Sequence, residues 1–152
     1  MSVEWTPRET GTHQDHVIAH VIGATPLGFY QWDQAIHILL DIGFIWTIYV
    51  DGEMGLLPQP VMISELDVGS EIKARLREDV DSLQRDGWSA EGLNEFTVAP
   101  VDCLIAEVLF EARRDDERRI LIRGEEGSLA ILTSPATGEI NVQAASTNND
   151  GR

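Results

Sequence analysis

Apolar residues recur along this chain in patterns that predict strands and helices in alternation. The segment Phe44–Val50 is rich in aromatic and β-branched residues and is apolar on both faces, which predicts a central strand. Asp51-Gly52 predicts a hairpin turn into a second strand over 54–63. Because proline cannot donate a hydrogen bond to a ladder, Pro58 and Pro60 place that second strand at a sheet edge or interrupt it.

The clearest helix is predicted from Asp67 to Gly87. Its apolar residues follow one narrow stripe at helical spacing, and Gly87 is typical of the position that ends a helix. A single stripe indicates that one face of the helix packs on a sheet. The stripe consists of Val68, Ile72, Leu76, Val80 and Leu83.

Three other segments lack a single periodicity. One is predicted from the propensity of its residues alone, and each of the other two fits both a helix and a strand. The β-branched residues of His16–Gly23 favour a strand. The segment 34–42 fits a helix capped by Asp33, but its alternating residues also fit a strand. The segment 101–114 follows a helical period, although alternation would equally suit a strand that turns at Asp115-Asp116. We predict helix for both of these last two segments.

The fold class predicted from these elements is α+β, an antiparallel sheet with two or three helices packed on one face. Three short alternating segments, Arg119–Arg123, Ser128–Thr133 and Glu139–Ala144, predict a three-stranded meander near the end of the chain. The expected organisation is a flexible segment 1–14, a single domain 15–145 and a disordered tail 146–152. No oligomeric state is indicated.

The charge of the chain excludes some partners. Eleven basic residues oppose 26 acidic ones, which gives a formal charge of −15 at pH 7. A phosphate backbone or an anionic membrane surface would repel most of this molecule, so neither nucleic acid nor a membrane is an expected partner. The single cysteine, Cys103, cannot form an internal disulfide, and the first residues do not resemble a secretory signal. We therefore expect a cytoplasmic protein.

The acidic residues are concentrated in a stretch without cationic side chains. Between Glu9 and Glu71 there is no lysine or arginine. A surface of one charge sign speeds association with an oppositely charged partner. The sequence therefore predicts a small, non-enzymatic protein that binds a basic partner protein, as inhibitors, immunity proteins and chaperones of this size do.

Aromatic residues in loops more often close over the core of a small domain, and the alternative is that they anchor such a partner, because amphipathic rings dominate the energetics of many interfaces. Exposed carboxylates beside them would provide the charge. The predicted binding residues are Trp32, Asp33, Asp51, Glu53 and Trp88.

A metal-dependent or acid/base enzyme is the alternative. His13, His16 and His20 would lie on one face of a helix and could hold zinc, whereas on a strand His16 and His20 would be about 13 Å apart. Asp41, together with the carboxylates of the Asp51-Gly52-Glu53 turn, could instead bind a divalent cation. Because the strand is favoured, no cofactor is expected. His37 could pair with Asp41 if 34–42 is helical.

Overall fold

The structure is a computed structural model that describes residues 4–32, 34–99, 104–114, 117–125 and 127–146, without the side chains of 145 and 146. These residues form ten strands and three α-helices, an α+β fold. The helices are α1 (Thr12–Val21), α2 (Gln59–Glu65) and α3 (Ser70–Asp86). The strands are β1 (Thr6–Pro7), β2 (Pro26–Trp32), β3 (Ala35–Leu40), β4 (Phe44–Tyr49), β5 (Met54–Pro58), β6 (Thr97–Val98), β7 (Glu107–Arg113), β8 (Glu117–Arg123), β9 (Gly127–Ser134) and β10 (Glu139–Ser146).

The strands pair into two antiparallel sheets of five. The outer sheet has the order β1-β7-β8-β9-β10, and the central sheet has the order β5-β4-β3-β2-β6. One hydrophobic core lies between the two sheets and α1, and it includes Trp46, Ile48, Ile120, Ile131 and Ile140. A second core lies on the opposite face of the central sheet, under α2 and α3. The layers are therefore outer sheet, central sheet and helices.

The segment 34–42 is a strand, so the helix predicted there is wrong. All six residues of β3 are buried. Ile36, Ile38 and Leu40 belong to the core between the sheets, while Leu39 belongs to the core under the helices. A strand with both faces covered can bury every side chain of an apolar run, whereas an amphipathic helix buries only one stripe.

The segment His16–Gly23 is mostly helical, so the strand predicted there is wrong as well. Val17 and Val21, one turn apart on α1, are both buried in the core between the sheets. The Gly11 backbone N–H donates to Oε1 of Gln14 (2.8 Å) and so satisfies one amide at the start of the helix. Burial of this apolar pair outweighs the weak preference of β-branched residues for strands.

The helix predicted over 101–114 is also wrong. Residues 101–103 lie outside the described residues, and 107–113 form β7. Val108 and Phe110 pack against the core between the sheets, and Leu109 between them lies on the opposite face of the strand. The helical period was coincidental, because this segment completes a ladder with β8.

Other predictions are confirmed. Phe44–Tyr49 is an interior strand of its sheet and a hairpin follows it. The second strand, predicted over 54–63, is an edge strand only over Met54–Pro58; its remainder is wrong, because residues 59–63 belong to α2, where Pro60 suits the first helical turn. Helix α3 packs on the central sheet and ends at Gly87, whose φ of 60° favours glycine. Strands β8, β9 and β10 form the predicted meander. The boundary predicted between residues 14 and 15 falls inside α1, and residues 147–152 lie outside the described residues.

Candidate functional site: an acidic aromatic groove

The helix-facing surface of the central sheet is organised in cross-strand rows. Tyr30, Leu39 and Ile45 belong to the core under α2 and α3, so residues two positions away on the same strands share that face. The strand register then defines three rows: Trp32–Ala35–Tyr49, Tyr30–His37–Thr47–Gly55 and Gly28–Leu39–Ile45–Leu57.

The helices cover the second and third rows more completely than the first. A Cβ on Gly28 would lie 2.8 Å from Cδ1 of Leu83, so α3 packs directly against this backbone. In the first row Trp32 is 41% exposed and Tyr49 is 45% exposed. The sheet therefore leaves an aromatic row open to solvent beside the helices.

A groove of about 320 Å³ lies between this open row and the residues that connect α2 to α3. Ala35 contributes only a methyl group between the rings of Trp32 and Tyr49, which makes the floor concave. We call this site the acidic aromatic groove. Its lining residues are Trp32, Ala35, His37, Tyr49, Leu57, Met62, Glu65, Leu66 and Asp67.

His37 lies at the inner end of the groove and is held by its neighbours. Its Nδ1 is 2.9 Å from Oγ1 of Thr47, and that hydroxyl donates to Sδ of Met62 at 3.8 Å. The Tyr30 ring stacks on His37 with centroids 4.6 Å apart. Burial raises the pKa of the Tyr30 phenol far above its ordinary value, so Tyr30 stays neutral.

A buried carboxylate fixes the loop behind this cluster. Asp79 of α3 is only 1% exposed. Its oxygens accept the backbone N–H groups of Asn94, Glu95 and Phe96 at 2.8, 2.6 and 2.8 Å. The Phe96 ring then meets Tyr30 edge-on with centroids 4.7 Å apart. Asp79 therefore positions the packing beneath the groove, a role that the sequence analysis missed because the helical stripe does not include it.

The carboxylates of the groove lack cationic partners within the described part of the chain. Glu65 and Asp67 are exposed, and the lining residues include no lysine or arginine. Nζ of Lys73, the only lysine, donates instead to the backbone oxygen of Ser64 (2.8 Å). The groove is consequently a site of net negative charge with two aromatic walls.

Ion pairing is segregated along the chain. The five ion pairs of the described residues all join residues between 75 and 123. Every described carboxylate between Glu9 and Glu71 is exposed, and none of them is in those pairs. They do not form one continuous patch, however, because Asp41 and Asp51 lie at opposite ends of β4. Glu65 and Asp67 are the ones that line the groove.

The predicted binding residues lie in separate places. Trp32 lines the groove, whereas Trp88 is 54% exposed on a short 3-10 turn after α3 and is not part of the lining. Oδ1 of Asp51 accepts the backbone N–H of Glu53 (3.0 Å) in the turn between β4 and β5. Asp51 also lines a smaller cleft of about 140 Å³ together with residues of the outer sheet. Asp33 lies outside the described residues.

The three histidines of the predicted zinc site lie on α1 and are exposed. Nε2 of His13 is 3.0 Å from the backbone oxygen of Met54. Within the residues that the structure describes, no group of three or more His, Cys, Asp or Glu could hold a metal ion. Oδ1 of Asp41 accepts the Thr25 backbone N–H (2.9 Å). A pairing of Asp41 with His37 was predicted only for a helix over 34–42. His37 lies in β3 and Asp41 directly follows that strand, so this condition is not met.

Comparison with protein family models, curated proteins and solved structures finds no match to this chain. Among the described helices, none is long and apolar enough to cross a membrane.

Tyr49, Glu65 and Asp67 line the groove but are not among the binding residues predicted from the sequence. For Tyr49 the sequence holds a signal: residues 35, 37, 47 and 49 share one strand parity, which places His37 and Tyr49 on one face with Trp32 once 34–42 is a strand. Glu65 and Asp67 have no such signal, because they lie in α2 and in the connection that follows it. Interpreting 34–42 as a helix removed the register that connects Tyr49 with Trp32.

Proposed function

We propose that this protein is a small, non-enzymatic binding protein that engages a basic partner protein through the carboxylates between Glu9 and Glu71. The observation that carries the proposal is the segregation of ion pairs. The described arginines that form ion pairs do so with carboxylates beyond residue 75. The described carboxylates between Glu9 and Glu71 are all exposed and none is in those pairs, although Glu9 and Asp51 line a cleft together with Arg8, Arg118 and Arg119.

Electrostatics gives this arrangement a physical consequence. Carboxylates without counter-ions repel one another, and a cationic partner relieves that repulsion when it binds. Such complementarity raises the association rate and makes binding sensitive to salt. We therefore expect binding of a basic partner that weakens steeply as ionic strength rises.

A labelled peptide of nine arginines is a suitable probe for the exposed carboxylates between Glu9 and Glu71. Its dissociation constant is measured by fluorescence anisotropy over a range of KCl concentrations. We expect binding at low salt and loss of most of it by about 0.5 M, where the Debye length is only about 4 Å. An affinity that does not change with salt would contradict the proposal.

Two matched double variants separate the front carboxylates from acidity in general. Asp51→Asn with Glu53→Gln removes two charges from the front of the chain, and Asn keeps the acceptor oxygen of the turn. Asp81→Asn with Glu91→Gln removes two exposed charges from the back. We expect the front variant to weaken peptide binding several-fold more. Equal losses would show that only net charge matters.

One observation favours a second candidate function, acid/base catalysis in the acidic aromatic groove. His37, Glu65 and Asp67 line the same concave site, and catalytic sites commonly combine these groups. An acid/base role requires the His37 ring to exchange protons with solvent near neutral pH. NMR of the labelled ring between about pH 5 and pH 8 tests this, and a ring that keeps one protonation state throughout would remove the candidate.

A further inference from the structure

We infer that the acidic aromatic groove binds an arginine side chain of the basic partner. The guanidinium would lie against the rings of Trp32 and Tyr49 and meet the carboxylates of Glu65 and Asp67. This inference rests on the proposed function, because it names the group through which the basic partner is recognised. It also makes a separate claim, that one defined site provides affinity and selectivity beyond general charge attraction.

The lining of the groove is complementary to a cation with an apolar stem. Aromatic faces attract cations through their quadrupole, and desolvation strengthens that attraction. Leu57, Met62 and Leu66 offer apolar contact to the methylene groups that lead to a charged head. The two carboxylates provide charge-assisted acceptors at the rim. The volume of about 320 Å³ suits one side chain and its flanking backbone.

A cluster on the outer sheet combines an aromatic ring and carboxylates with arginines of this chain. There the guanidinium carbons of Arg113 and Arg119 lie 4.4 and 4.6 Å from the centroid of the Trp5 ring. Glu117 and Glu111 complete that cluster by pairing with the two arginines at 3.1 and 2.5 Å. The groove on the central sheet has the aromatic rings and the carboxylates, and none of its described lining residues is an arginine or a lysine.

Arginine fits these groups better than lysine for geometric reasons. The guanidinium is planar, stacks on aromatic faces and binds carboxylates in a bidentate manner. An ammonium is more strongly hydrated, so it loses more when it enters a partly apolar groove. We therefore expect the groove to discriminate between the two side chains, which general charge attraction would not do.

The wild-type protein provides the first test. N-acetyl-L-arginine amide is titrated into labelled protein, and the four indole N–H signals are followed by NMR, with the neutral citrulline analogue as the control ligand. We expect the Trp32 signal to shift with arginine and not with citrulline. Trp88 is the internal control, because it is more exposed than Trp32 but lies outside the groove. Equal shifts of both signals, or none at Trp32, would overturn the inference.

Matched variants provide the second test, with the nine-arginine peptide as the probe. We expect Trp32→Ala to weaken binding of this peptide about fivefold, and by more than Trp88→Ala does. Glu65→Gln with Asp67→Asn should cost at least as much, and the control pair Asp81→Asn with Glu91→Gln much less. A nine-lysine peptide should bind the wild type several-fold more weakly than the arginine peptide. That difference should disappear in Trp32→Ala.

The outcomes separate this inference from the proposed function. If the groove variants bind like the wild type while Asp51→Asn with Glu53→Gln weakens binding, the proposed function stands and the arginine site is overturned. If neither set of variants differs from its control, both are overturned. The wild-type titration remains decisive should Trp32→Ala fail to fold.

Discussion

The two sheets of this protein each present one face away from the core that they share, and the two faces use the same kinds of side chain differently. On the outer sheet, opposite charges lie across neighbouring strands. Glu107 pairs with Arg123, Glu111 with Arg119 and Arg113 with Glu117. The ladder register therefore neutralises the charge of this face within the sheet.

The corresponding face of the central sheet is covered by helices and keeps an acidic aromatic groove at its margin. Its cover is apolar, with Leu76, Val80 and Leu83 of α3 packed on the sheet. Its carboxylates, Glu65 and Asp67, lie outside that cover and have no cationic partner among the lining residues described. The comparison shows that charges on the outer sheet are paired across its strands, whereas no described ion pair uses the carboxylates of the groove.

The largest effect on stability is expected from Asp79, which holds the loop under the groove. Asp79→Ala removes the acceptor of three backbone N–H groups, including the buried one of Phe96. We expect the free energy of unfolding to fall by about 4 kcal/mol, because buried donors are left unsatisfied. Urea denaturation measures this. A loss below about 1 kcal/mol would show that solvent replaces the carboxylate.

A pair of leucine truncations compares the packing of the two faces. Leu83 is fully buried between α3 and the central sheet, and Leu121 is half-buried on the outer face of β8. We expect Leu83→Ala to cost about 3 kcal/mol of unfolding free energy and Leu121→Ala about 1 kcal/mol. Equal losses in chemical denaturation would contradict the layer arrangement described above.

A pair of charge removals tests the division between stability and binding. Glu111→Gln breaks the half-buried pair with Arg119, and we expect a loss of about 1 kcal/mol in unfolding free energy. Glu65→Gln should stay within about 0.5 kcal/mol of the wild type, because no described ion pair is lost. Thermal denaturation of both variants measures these two changes in stability. A destabilised Glu65→Gln would give the groove carboxylate a structural role.

The smallest expected effect is on the pH dependence of stability, through the carboxyl group of Glu117. The hydrogen bond from Arg113 lowers the pKa of its carboxyl group. A lowered pKa in the folded state adds stability above the ordinary carboxyl pKa, and this is lost as pH falls through the lowered value. We therefore expect Glu117→Gln to melt slightly below the wild type near pH 7 and together with it near about pH 3. A difference in melting temperature between the two proteins that grows as the pH falls would contradict the lowered pKa of Glu117.

Several features of the site could be predicted from the sequence. Trp32 is among the predicted binding residues, and the acidic stretch around it is visible in the sequence. Tyr49, Glu65 and Asp67 join Trp32 only through the register of β3 with β4 and through the connection between α2 and α3. A register cannot be derived for a segment that is interpreted as a helix.

The sequence by itself determined the elements whose local signals agree. Helix α3 has a single apolar stripe and a terminal glycine, the turn at Asp51-Gly52 has hairpin residues, and the last three strands alternate between turn residues. In each case propensity, period and turn chemistry favour the same structure. The α+β class follows from these elements.

Only the tertiary structure decided α1, β3 and β7. The segments of β3 and β7 carry apolar residues that satisfy a helical period and a strand period at once, and the β-branched residues of α1 favour a strand, so local preference does not select the observed structures. Burial of apolar side chains decides between helix and strand. Val17 and Val21 pack into the core between the sheets from one face of a helix, whereas β3 packs into both cores as a strand. The free energy of covering apolar surface exceeds local propensity, and it depends on neighbours distant in sequence.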